Sequence, residues 1–121
     1  MAASAVLTTH GLTPVYQIAC RDRNRNELLS LGWRLASEGL DTILALSGDY
    51  PVEGYGGVAR PVFDLDSVGL LEMYRREGLV APPAGPGGLF AGAVVNPHKR
   101  FEWEVVPQYQ KLELKIRTGA R

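Results

Sequence analysis

The sequence predicts an α/β domain of parallel βα repeats, with about three strands and four helices over 121 residues. Three observations carry that expectation. Short apolar runs alternate with segments of helical periodicity. The runs are nearly continuous in hydrophobicity rather than alternating, as strands covered on both faces are. A Gly-Leu pair precedes each run, at Gly11-Leu12, Gly39-Leu40 and Gly88-Leu89.

Ala2 to His10 reads as a first, weaker helix that ends at Gly11. The first strand is Pro14 to Cys20, PVYQIAC, with β-branched and aromatic residues. From Asn24 to Leu40 the pattern is helical: Glu27, Ser30, Arg34, Ser37 and Glu38 lie on one side, with Leu28, Leu31, Leu35 and Leu40 on or beside the other. Asn24 followed by Glu27 is a capping-box variant at its start. Gly11 and Gly39 are placed to stop their helices, because glycine enters the left-handed conformation without a Cβ clash.

The second strand is Asp41 to Ser47, DTILALS. A long loop, Gly48 to Pro61, follows it at the strand's C-terminal end, where α/β folds place their sites. A helix from Ser67 to Glu77 follows, with Asp66 as N-cap and Val68, Leu71 and Tyr74 at apolar spacing. The segment 81–88, APPAGPGG, reads as a structural connection to the third strand, Leu89 to Asn96. A final helix from Glu104 to Thr118 carries Val105, Tyr109, Leu112 and Ile116 as its stripe, and Thr118-Gly119 ends it as though another strand should follow. Right-handed crossovers make such strands parallel. They form either a small open sheet or part of a barrel.

Composition narrows the function classes. Basic and acidic residues balance at 13 each, for zero net charge, which argues against general nucleic-acid or acidic-membrane binding. A local anion site needs only a few residues and stays open. Cys20 is the single cysteine, so neither an intrachain disulfide nor a thiolate metal cluster is available. No signal-peptide pattern and no run of about 20 apolar residues is present, so the reading is a cytoplasmic chain without a membrane span. His10 and His98 have no metal-ligand spacing, and Asp64-Leu65-Asp66 lacks further ligands, so no metal is expected. Trp33 and Trp103 read as packing groups. The absence of a nucleophile elbow, Walker loop or Gly-x-Gly-x-x-Gly after a strand disfavours hydrolase, nucleotidase and Rossmann readings.

Five segments together resemble the methylenetetrahydrofolate reductase family, in particular its bacterial branch fused to homocysteine methyltransferase. They are Cys20 to Asn24 (CRDRN), Ile43 to Pro51 (ILALSGDYP), Val62 to Leu71 (VFDLDSVGLL), Gly92 to Pro97 (GAVVNP) and Leu112 to Ala120 (LELKIRTGA). The resemblance implies a single partial TIM (β/α)8 barrel over residues 1–121, from about the second helix of the family barrel through the fifth. It also implies FAD at the C-terminal face, NAD(P)H as reductant and 5,10-methylenetetrahydrofolate as the substrate reduced to 5-methyltetrahydrofolate. The family's early-strand glutamate and substrate-binding glutamine fall outside these residues. Little or no activity is therefore expected of the chain alone.

Within this resemblance Asp49 matches the aspartate beside the flavin ring and is the catalytic candidate. Read alone, it is better explained as a turn aspartate capping backbone N–H groups. The cofactor-binding candidates are Gln17, Ser47, Gly48, Asp49, Asp64 and Lys115. Gln17 stands where relatives often carry histidine, and Ser47 where some carry arginine. Phe63 and Asp64 match the segment passing over the flavin. Lys115 matches a lysine directed at the FAD phosphates. Gln108, Lys111 and Lys115 share one helix face, which otherwise reads as solvated. Arg21, Arg23 and Arg25 suit anion binding or pairing with Asp22. The other functional class is non-catalytic: a module that completes its sheet with another copy or a complementary chain, or one that binds flavin or folate without reductase chemistry.

Overall fold

The computed structural model describes residues 1–80 and 88–121. It is α/β, in the order α1 (Ala2–Thr9), β1 (Tyr16–Ala19), α2 (Arg25–Ser37), β2 (Thr42–Leu46), α3 (Ser67–Arg76), β3 (Phe90–Ala93) and α4 (Glu102–Arg117). The three strands form one parallel sheet in sequential order β1-β2-β3. Each expected element is present, with every strand trimmed at its ends. The connection expected over 81–88 lies, at 81–87, outside the described residues.

All four helices end the same way. Each runs into a residue with positive φ: Gly11 (74°), Gly39 (72°), Gly78 (73°) and Gly119 (107°). Each has paired return bonds, such as Gly39 N–H to the Ala36 carbonyl at 3.2 Å and Leu40 N–H to Leu35 at 3.0 Å. Those two bonds define a Schellman motif, which satisfies carbonyls the helix end would otherwise orphan. The same pair of bonds recurs at Gly11-Leu12, Gly78-Leu79 and Gly119-Ala120. The repeat seen in the sequence therefore marks helix stops, and its third copy is Gly78-Leu79 rather than Gly88-Leu89.

The helix starts are equally local. Asn24 Oδ1 accepts the Glu27 N–H at 3.0 Å, and Asp66 Oδ1 accepts the Gly69 N–H at 2.8 Å, so both expected caps form. α4 begins at Glu102 and carries Pro107 within it. Glu104 reaches back to the Phe101 N–H at 3.3 Å, the acidic half of a capping box.

The core lies between the sheet and its helices. Ile18, Ile43, Ala45 and Ala91 are buried on that face, against Leu28 and Leu35 of α2 and Leu70, Leu71 and Tyr74 of α3. α3 packs on β2 and lies between α2 and α4. Tyr74, fully buried, donates its hydroxyl to the Leu28 carbonyl at 2.5 Å and fills the space beside Gly32. The opposite face of the sheet is half-buried or exposed at every described strand position. Gln17, Leu44 and Gly92 form one row across it by register, and Ala19 and Leu46 another.

Beyond β3, Ala120 makes a parallel bridge to Ala91, with the Arg121 N–H bonded to the Ala91 carbonyl at 2.8 Å. That is the beginning of strand pairing where the sequence expected another strand. Two expectations are corrected. In α4, Tyr109 and Ile116 are exposed, and the half-buried positions are Glu104, Val105, Gln108, Leu112 and Lys115. The two tryptophans are not core groups: Trp103 is 73 % exposed and stacks on Phe101 at 5.7 Å, and Trp33 is 51 % exposed. Among the described residues, no helix is long and apolar enough to cross a membrane.

Candidate functional site

The C-terminal ends of β2 and β3, the N-terminus of α3 and the inner face of α4 meet at one rim of the sheet. There they enclose a cavity of about 280 Å³ lined by Leu46, Ser47, Gly48, Asp49, Ser67, Val94, Asn96, Gln108 and Lys115, with Ala45 at its floor. Four sequence candidates, Ser47, Gly48, Asp49 and Lys115, come together here although they derive from segments more than 60 residues apart.

Each is set by its local backbone. Gly48 has φ of 98°, a conformation that favours glycine. A Cβ on it would stand 2.9 Å from Arg21 Cβ, so the β1 and β2 exits approach closely only because no side chain intervenes. Ser47 Oγ accepts the Ser67 N–H at 3.1 Å and lies 3.3 Å from the Ser67 hydroxyl. It thus satisfies a first-turn donor of α3 and ties that helix end to β2. Asp49 is exposed on the cavity edge, and its main-chain carbonyl accepts from Arg21 Nη1 at 2.5 Å.

Lys115 turns inward from α4 and donates Nζ to the Val94 carbonyl at 2.5 Å. Burial pushes its pKa below the ordinary lysine value, and the neighbouring Lys111 charge adds to that, with Asp66 opposing. An ammonium donates three hydrogen bonds, so donors remain for a second acceptor in the cavity. The expected face of Gln108, Lys111 and Lys115 divides. Gln108 and Lys115 line the cavity, while Lys111 stays at the surface.

Two candidates stand elsewhere. Gln17 is exposed on the sheet face opposite the core, two residues before the end of β1, and does not line the cavity. Asp64 is engaged with the start of α2. Its carboxylate accepts the Arg25 backbone N–H at 2.8 Å and a forked pair from the guanidinium at 3.0 and 3.1 Å. Those bonds from Arg25 hold its carboxyl below the ordinary aspartate range.

The arginine cluster resolves into three ion pairs, Arg21–Asp22, Arg23–Glu27 and Arg25–Asp64. Two lining residues, Asn96 and Ser67, lie outside the sequence expectation. Their signal was positional, each being a polar residue at an element end on this rim.

Chemically, the cavity offers a lysine ammonium, two hydroxyls at a helix N-terminus, two carboxamides and one carboxylate at the edge. That set suits a ligand bearing an anionic group at one end and a polar, partly cationic group at the other. No family model matches the chain, and no curated protein matches it.

Proposed function

We propose that this chain is a segment of a β/α barrel that binds flavin, of the methylenetetrahydrofolate reductase kind. The observation that carries the reading is the convergence of Ser47, Gly48, Asp49 and Lys115 on one cavity at the C-terminal rim of a parallel sheet. The strand order supports it. The three parallel strands follow one another in sequence order, as neighbouring strands of a barrel do, and the Ala120 bridge continues that order past β3.

The residues fit part of FAD. At about 280 Å³ the cavity is below the usual range of about 300–1,000 Å³ for whole ligands, so it suits the diphosphate portion. Lys115 and the Ser67 hydroxyl would hold those oxygens, and the Gly48 turn would let backbone come close. The flavin supplies hydride transfer between NAD(P)H and 5,10-methylenetetrahydrofolate. Asp49, at the outer edge, would favour an electron-poor folate and disfavour accumulated negative charge on the ring.

Titration of the purified chain with FAD, followed by flavin fluorescence, tests this. Saturable binding that is lost in Lys115→Ala and weakened in Asp49→Asn is expected. A folded chain that leaves flavin fluorescence unchanged would count against the reading.

A second reading rests on the sheet face opposite the core, where Phe90 is 48 % exposed under the Arg121 guanidinium and Leu44 is half-buried. Apolar sheet surface of this kind drives association with another copy or a complementary chain. A compact monomer by light scattering at high concentration argues against it.

A further inference from the structure

The loop after β2 is closed at its base by the exit of β1. Arg21 Nη1 donates to the Asp49 carbonyl at 2.5 Å. The next residue, Asp22, grips the other end of the loop twice: its N–H donates to the Val62 carbonyl at 2.7 Å, and its Oδ1 accepts the Val62 N–H at 3.0 Å. Asp22 adopts φ of 60° to do so, a left-handed conformation that aspartate tolerates better than most residues. Arg23 then makes a parallel bridge to Phe63, whose ring meets Tyr50 edge-on at 6.1 Å. Three consecutive residues therefore hold both ends of one loop, while Val52, Tyr55 and Val58 at its apex stay exposed.

The geometry points to Arg21 as a positioning residue: by anchoring the Asp49 carbonyl it fixes where that aspartate stands on the cavity edge, with Asp22 closing the loop behind it. Its functional meaning rests on the flavin reading of the cavity, but the staple itself does not. A loop hinged at a fixed base keeps one residue in register with the site while its tip moves. Without the tie, Asp49 would move with the apex. Arg21 touches no reacting group and acts only through Asp49.

The test starts with the ligand-free chain by NMR. In Arg21→Met the backbone order of Asp49 and Tyr50 is expected to fall, and in Arg21→Lys, which restores a charged donor, to recover. The Ile18 and Ala45 amides should keep their protection in both. In Asp22→Ala the Val62 amide should exchange at least about tenfold faster, and Asp22→Asn, which retains the acceptor oxygen, should hold it near wild type. Unchanged order at Asp49 and Tyr50 in Arg21→Met overturns the proposal. Should that variant not fold, unaltered Val62 exchange in Asp22→Ala overturns it instead. FAD titration of the same variants then separates the two claims. Binding about tenfold weaker in Arg21→Met and rescued in Arg21→Lys supports both. A wild-type chain that binds no flavin sinks the flavin reading, and the staple stands or falls on its amides.

Discussion

Gly32→Ala tests the packing that seats α3 beneath the site. By helix propensity alone the change should stabilise the chain, because alanine in a helix interior gains about 1 kcal/mol over glycine. The structure reverses that expectation. A Cβ at Gly32 would stand 2.8 Å from Tyr74 Cζ, 2.9 Å from Tyr74 Cε1 and 2.9 Å from Leu79 Cδ1. The ring cannot withdraw easily, since it is fully buried and its hydroxyl is tied to the Leu28 carbonyl at 2.5 Å. Overpacking of a filled core costs about 1–3 kcal/mol, so the net effect is a loss of up to about 2 kcal/mol. For a domain of this size that lowers the melting temperature by about 4 °C per kcal/mol. Thermal and urea unfolding followed by circular dichroism would measure it. In a Tyr74→Phe background the ring loses its tether, and the penalty should shrink by roughly 0.5–1 kcal/mol as a coupling energy. A Gly32→Ala chain that melts above the wild-type temperature would refute the contact between α2 and α3 described above.

Burial pushes the Cys20 thiol up to about 11 from 9.0, so a disulfide-exchange reagent at pH 8 should label it only on unfolding. Because the folded state holds that proton longer than the unfolded state, the associated stability is present below pH 9 and declines toward pH 11, measurable as a falling urea midpoint. Gly48→Ala places a left-handed alanine against Arg21 Cβ and should cost about 1–2 kcal/mol or more, read from the same unfolding curves. Arg75 and Arg76 hold the Glu72 carboxyl at about 2, so its carbon-13 shift should titrate more than two pH units below an ordinary glutamate, and a midpoint near 4.5 would contradict the paired geometry. Asp64→Ala should fray the first turn of α2, seen as faster amide exchange at Arg25, while leaving the Lys115 cavity intact.

Much of this architecture was legible in local chemistry. Asn24, Asp66 and the glycines at 11, 39 and 119 act within one helical turn of themselves, so their residue types announced the element ends. Gly78-Leu79 carries the same signal, but it stands well ahead of β3 rather than beside it. What hydrophobicity could not supply was the rotation of α4. Val105 and Leu112 face inward as expected, but Gln108 and Lys115 take the places predicted for Tyr109 and Ile116. A stripe of apolar residues says which faces avoid water, not which of them meets the sheet. Lysine also buries its stem while its amine finds a carbonyl. Asp64 was unreadable for a different reason. Its partner Arg25 is 39 positions away, and only the closed fold brings the two together.

The four Schellman endings divide the labour between the two rims of the sheet. On the helix-to-strand side, each turn is fixed by a glycine and two return bonds that answer to nothing beyond the neighbouring residues. On the strand-to-helix side, the loop after β2 is tied to β1 at its base, and its apex makes turn bonds only with itself, between Gly54 and Ala59. Substitution should therefore be received asymmetrically. A saturation library selected for folding alone would be intolerant at Gly11, Gly39, Gly48, Gly78 and Gly119 and, Gly56 and Gly57 apart, permissive from Val52 to Arg60. Selection for ligand would then add Ser47 and Lys115 to the intolerant set. The chain can in this way revise its chemistry at one end without renegotiating its fold at the other.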